Sequence, residues 1–96
     1  MFNDYTLSYH IQNDRVDRIT KIATTIGFGE IIKETTHKGA DILLSDTGVI
    51  FVVSKVTKVI ITIYPGSVKE ITAIYHGKMP QSLFKQVLRN EKINWG

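Results

Sequence analysis

The sequence predicts an α+β fold: an N-terminal helix, a five-stranded antiparallel meander sheet and a C-terminal helix, forming a single α+β domain over residues 1–96. Three observations lead there. Apolar residues recur every three or four positions from Ser8 to Ile26, the mark of an amphipathic helix. Beyond Gly27-Phe28-Gly29 the period falls to two and the composition turns β-branched. The breaks that follow are only a few residues long, which permits antiparallel neighbours and little else.

Each element has its own justification. In the first helix, Ile11, Val16, Ile19, Ile22, Ala23 and Ile26 fall in one arc; Ser8 is a candidate N-cap and Gly27 a stop in the left-handed region. Asp14–Arg18 and Asp17–Lys21 stand at i,i+4 on its outer face, whereas Arg15 projects into the apolar arc. Strands are expected at Glu30–Thr36, Asp41–Ser45, Val49–Ser54, Val59–Tyr64 and Lys69–His76. Between them lie the turn-forming runs His37-Lys38-Gly39, Asp46-Thr47-Gly48, Lys55-Val56-Thr57-Lys58 and Pro65-Gly66-Ser67. The Val49–Val53 and Val59–Ile63 segments are apolar at almost every position, so both sheet faces should be covered. One cover is the first helix. The other is a final helix begun by Pro80, with Leu83, Phe84, Val87 and Leu88 as its stripe and Trp95 docking back from the tail. The Glu30–Thr36 strand would be an open edge, through which the sheet could pair with another.

Composition narrows the function. An apolar fraction of 43% with two prolines and seven glycines is that of a folded chain, not a disordered one. No cysteine means no disulfide and no thiolate ligand or nucleophile, which fits a reducing cytoplasm. The first residues lack a signal-peptide pattern, and no apolar run has the length of a membrane span. Charge is uneven: residues 1–50 carry five basic and seven acidic side chains, residues 51–96 seven basic and two acidic. A basic second half points to a polyanion such as RNA or DNA, with Lys55, Lys58, Lys85 and Arg89 as candidate contacts; solubilising lysines give the same count.

Chemistry-bearing residues are few. His10, His37 and His76 lie on three separate elements without metal-ligand spacing, so no metal and no cofactor is expected. Gly27-Phe28-Gly29 ends a helix instead of opening one, so it is no phosphate loop. What the pattern could gather is His10, Arg15 and Arg18 from the first helix with Thr62 and Tyr64, which share a strand face, and Thr72 and His76, which share one on the last expected strand. Imidazole, guanidinium and hydroxyl are the groups that cut RNA without a metal: one takes the 2′-OH proton, one protonates the leaving 5′-oxygen, one holds the phosphate. Each also has an ordinary role, as a snorkelling arginine, a helix-end histidine or a strand-forming hydroxyl.

Ser8-Tyr9-His10 followed by Asp14-Arg15 and Arg18, and the run Leu43 to Ile50 followed by Val59 to Pro65, resemble the opening helix and central hairpin of the barnase–EndoU–colicin–RelE superfamily. These are metal-independent ribonucleases and toxins, and the likeness spans about residues 8–76. It implies helix followed by antiparallel sheet, RNA as substrate, and His10, Arg15, Arg18, Thr62 and Tyr64 as the site. The chain departs from that pattern in lacking dense arginine and lysine clusters and a glutamate base on the central strands. The closing run Met79-Pro80-Gln81-Ser82-Leu83-Phe84 is similar to phage-encoded relatives. The sequence thus leaves three functions open: a toxin-like ribonuclease acting on RNA, a non-catalytic phage or mobile-element protein that binds and inhibits a host macromolecule, and a nucleic-acid-binding regulator. A host protein target or a cognate inhibitor would be a partner in the first two.

Overall fold

The computed structural model describes Thr6, Leu7 and residues 16–95. In chain order these form β1 (Thr6–Leu7), α1 (Val16–Thr25), β2 (Ile31–His37), β3 (Ala40–Ser45), β4 (Val49–Ser54), β5 (Val59–Pro65), α2 (Val68–Tyr75) and α3 (Gln81–Glu91). Strands β2 to β5 make the antiparallel meander, and the two-residue β1 adds in parallel along the outer side of β5. The sheet order is therefore β1-β5-β4-β3-β2, with β2 outermost.

Turn chemistry sets the register. His37 pairs with Ala40 across Lys38-Gly39, whose φ angles of 50° and 80° are those of a tight hairpin matched to strand twist. Between β3 and β4, Gly48 takes a φ of 84°, and its N–H donates to the Ser45 carbonyl at 3.0 Å. A Cβ on Gly48 would lie 2.9 Å from the Asn90 Nδ2, so the position excludes any side chain twice over. In β5 the pairing slips between Val52↔Thr62 and Val53↔Ile60, a bulge that turns Ile61 outward and keeps Ile60 and Ile63 on one face.

Alternate residues of β4 feed two separate cores. Val49, Phe51 and Val53 join Leu43, Ile60 and Ile63 under Ile22 of α1. Phe28, just past the helix, sets its ring 6.0 Å from that of Phe51. Ile50 and Val52 belong to the other face, under Ile71 and Ile74 of α2 and Leu83 and Val87 of α3. Coverage of both faces is thus as the sequence predicts, and Trp95 does dock, packing on the α1 side and donating from Nε1 to the Asn90 carbonyl at 3.1 Å. Gly27, at φ 76°, ends α1 with its N–H on the Ile22 carbonyl.

The expected fifth strand is a correction. Lys69–His76 is not a strand but lies in and just beyond α2, so the meander has four antiparallel strands. The physical reason is a capping box: Ser67 Oγ accepts from the Glu70 N–H at 3.1 Å, and Glu70 Oε1 accepts from the Ser67 N–H at 3.0 Å. Ile71 and Ile74 then bury at i,i+3, a helical spacing that overrides their β-branched preference. The expected start of the first helix at Ser8 falls outside the described residues.

Candidate functional site

Hairpin turns alternate between the two ends of a meander, and this sorts the charges. At one end lie the β2–β3 turn with His37 and Lys38 and the β4–β5 turn with Lys55 and Lys58. The C-terminus of α2 brings His76 to the same end, since His76 and His37 line one groove, and Lys78 follows two residues on. Asp41 is the carboxylate there, 3.9 Å from the Lys58 Nζ. The opposite end gathers Glu30, Asp46, Glu70 and Glu91 together with Lys69, Arg89 and Lys92. The protein is basic at one end of its sheet and mixed in charge at the other.

Backbone conformation marks the basic end a second time. The described non-glycine residues with positive φ are Lys38 (50°), Lys58 (60°) and His76 (55°), all at this end and all basic. His76 occupies the left-handed cap of α2, where glycine costs least, and Gly77 comes only afterwards. A side chain kept at such a position is retained against a conformational cost. Helix α3 also opens here, at Pro80, without a side-chain cap.

The groove lies between α2 and the β2–β3 side of the sheet and has a volume of about 430 Å³. Its floor is Ile42, Ile50, Ala73 and Ile74; Thr35, His37 and His76 stand at one part of its wall and Tyr64 with Glu70 at another. Just outside it, the Lys33 Nζ sits 5.2 Å from the centre of the Tyr75 ring. Tyr64 Oη donates to Glu70 Oε2 at 3.0 Å while Glu70 Oε1 holds the capping box. Burial, then the hydrogen bond to Glu70 and the Glu70 charge, push the Tyr64 phenol up from 10.0 to about 12. Tyr64 therefore keeps its proton at neutral pH and has already committed it to Glu70.

The residues expected to form the site do not all meet. His10 and Arg15 lie outside the described residues. Arg18 belongs to α1, over one face, whereas Thr62 and Tyr64 point to the face beneath α2 and α3. Tyr64 alone of the described members lines the groove, and a phenol held above its ordinary value is no base. Lys55 and Lys58 stand at the basic end; Lys85 is exposed midway along α3, and Arg89 approaches the opposite end. The groove histidines were missed as a pair because His37 reads as a turn residue and His76 as a strand end. Recognition of Ser67-x-x-Glu70 as a helix start would have put His76 at a helix C-terminus.

A second polar cluster, at the opposite end, is structural. Asn90 is 1% exposed; its Nδ2 donates to the Thr47 carbonyl at 2.8 Å and its Oδ1 accepts from Gln86 Nε2 at 2.8 Å. Thr47 Oγ1 donates to the Gly27 carbonyl at 2.8 Å, and Lys21 Nζ donates to the Asn94 carbonyl. These bonds latch the β3–β4 turn to the ends of α1 and α3. Among the described residues no group of His, Asp and Glu has the spacing of a metal site, and no helix is long and apolar enough to cross a membrane. Compared with protein-family models, curated proteins and solved structures, the chain matches none.

Proposed function

We propose that this protein is a toxin-like, metal-independent ribonuclease whose acid–base groups are His37 and His76. The observation that carries the reading is that His37, from the β2–β3 turn, and His76, the α2 cap, both line one open groove at the basic end. Imidazole is the side chain suited to exchanging protons near neutral pH. One histidine takes the proton of a ribose 2′-OH as its oxygen attacks the adjacent phosphorus. The other gives a proton to the 5′-oxygen as the P–O5′ bond breaks, leaving a 2′,3′-cyclic phosphate and a free 5′-hydroxyl. Lys38 follows His37 directly and Lys78 lies two residues past His76, and they supply positive charge for the phosphate at that end. Its geometry shifts the catalytic role from Thr62 and Tyr64 to the two histidines, and it does not depend on His10 or Arg15.

The test is cleavage of end-labelled RNA in the presence of a chelator by wild type, His37→Ala, His76→Ala and His10→Ala. Each groove substitution should slow cleavage about 10²- to 10⁴-fold, the range for one general acid or base. Intact RNA at high wild-type concentration would refute the catalytic reading, and loss on His10→Ala alone would move the chemistry back to the N-terminal segment. The cluster of lysines at one end of the sheet favours a second reading, a nucleic-acid-binding regulator. RNA bound with a steep salt dependence yet left uncut would establish that instead.

A further inference from the structure

We infer that the groove takes a nucleotide whose base carries an exocyclic amino group, the amino group meeting Glu70 and Tyr64 and the phosphate meeting His37 and His76. This rests on the RNA reading above and goes beyond it by naming the base chemistry.

The groove is chemically polar along its length. Glu70 is in the first turn of α2 and His76 at its C-cap, roughly 9 Å apart along the axis at 1.5 Å per residue. At the Glu70 end every accessible side-chain atom is an acceptor. The carboxylate has no proton to give, and the Tyr64 hydroxyl has already given its own to Glu70 Oε2, so both offer only lone pairs. At the His76 end stand His37 and His76. A ligand that fits must present N–H donors at one end and negative charge at the other, separated by a flat, largely apolar body lying over Ile42, Ile50, Ala73 and Ile74. A nucleotide bearing an amino group has that layout. Uridine does not, because its O4 carbonyl would face the carboxylate, acceptor against acceptor.

Oligo(rC) and oligo(rU) isolate the difference, since the two bases match in size and differ where cytosine carries its amino group. Fluorescence anisotropy at fixed salt with short labelled oligomers should show wild type binding oligo(rC) about tenfold more tightly, the factor expected from one mismatched polar contact. Glu70→Gln, which can still close the capping box through its carbonyl, turns an amide NH₂ toward the groove and should abolish the preference. Ala73→Leu narrows the groove from the exposed side of α2 and should abolish it independently. His37→Ala should weaken both oligomers equally and leave their ratio intact. Equal binding of the two by wild type, or a preference that survives both Glu70→Gln and Ala73→Leu, would overturn the inference and leave RNA binding standing. Failure to bind either oligomer would overturn the RNA reading with it.

Discussion

Tyr64 offers a quantitative test of the groove's wiring. The perturbation is removal of its hydroxyl, Tyr64→Phe, or of the negative partner, Glu70→Gln. In the folded protein the phenol is held at about 12 against an ordinary 10.0, burial contributing most and Glu70 the rest. A group whose folded value is raised stabilises the fold fully below its unfolded value and loses that contribution as pH climbs through the folded one. The window is therefore pH 10 to about 12. For a fully buried phenol such a rise is worth ~2.7 kcal/mol; Tyr64 is only half-buried, and solvent screening reduces this to about 1–1.5 kcal/mol. An ultraviolet titration of tyrosinate should show a late step near pH 12 that vanishes in Tyr64→Phe. Glu70→Gln should bring the step partway down, keeping the share due to burial. Denaturant unfolding across the same window should show wild type losing stability faster than Tyr64→Phe. Tyrosinate signal lost near pH 10, and not near 12, on Tyr64→Phe would refute the reasoning.

Other outcomes follow from the packing and the caps. Asn90→Ala should cost about 1–3 kcal/mol in denaturant unfolding, because the Thr47 carbonyl loses its donor in a part-buried site. Phe51→Ala, at 1% exposure in the α1 core, should cost about 3–5 kcal/mol by the same measurement. His76→Gly should raise thermal stability by about 0.5–1 kcal/mol, relieving the left-handed cap, while lowering RNA cleavage; a gain in both would argue against a functional role for the imidazole. Val56→Asp, at a side chain 90% exposed in the β4–β5 turn, should change stability by no more than about 0.5 kcal/mol.

How far the sequence could be read depended on whether the deciding forces were local. Strand Val49–Ser54 emerges at its true bounds, because an uninterrupted apolar run closed by Gly48 on one side and a turn on the other has no competing interpretation. Helix α2 was misread for a definable reason. In Val68–Tyr75 the positions Ile71 and Ile74 fit a helical stripe, while Thr72, Ile74 and His76 fit a strand, and only the Ser67–Glu70 capping box breaks the tie. The β5 bulge carries no glycine or proline and shows itself only in the pairing of Val52 and Val53. Asn90 did leave a trace, a polar residue at i+7 on the Leu83–Val87 stripe, which buried polar groups require to be bonded. The groove shared by His37 and His76 left none, because it depends on where α2 crosses the sheet.

The outer strand β2 determines how two copies of the protein meet. A twofold pairing that continues the sheet sets residues of the same face opposite one another, so the strand must cross itself on a residue of its own. Centred on its midpoint, Glu34 faces Glu34; shifted one way, Lys33 faces Lys33; shifted the other, Lys33 faces His37. Two of the three well-overlapped registers thus set like charges in contact, and the bulge between Ile31 and Lys33 disturbs the ladder further. The edge repels its own twin while leaving its backbone groups open to a strand of different sequence, a discrimination between self and non-self written into a few side chains.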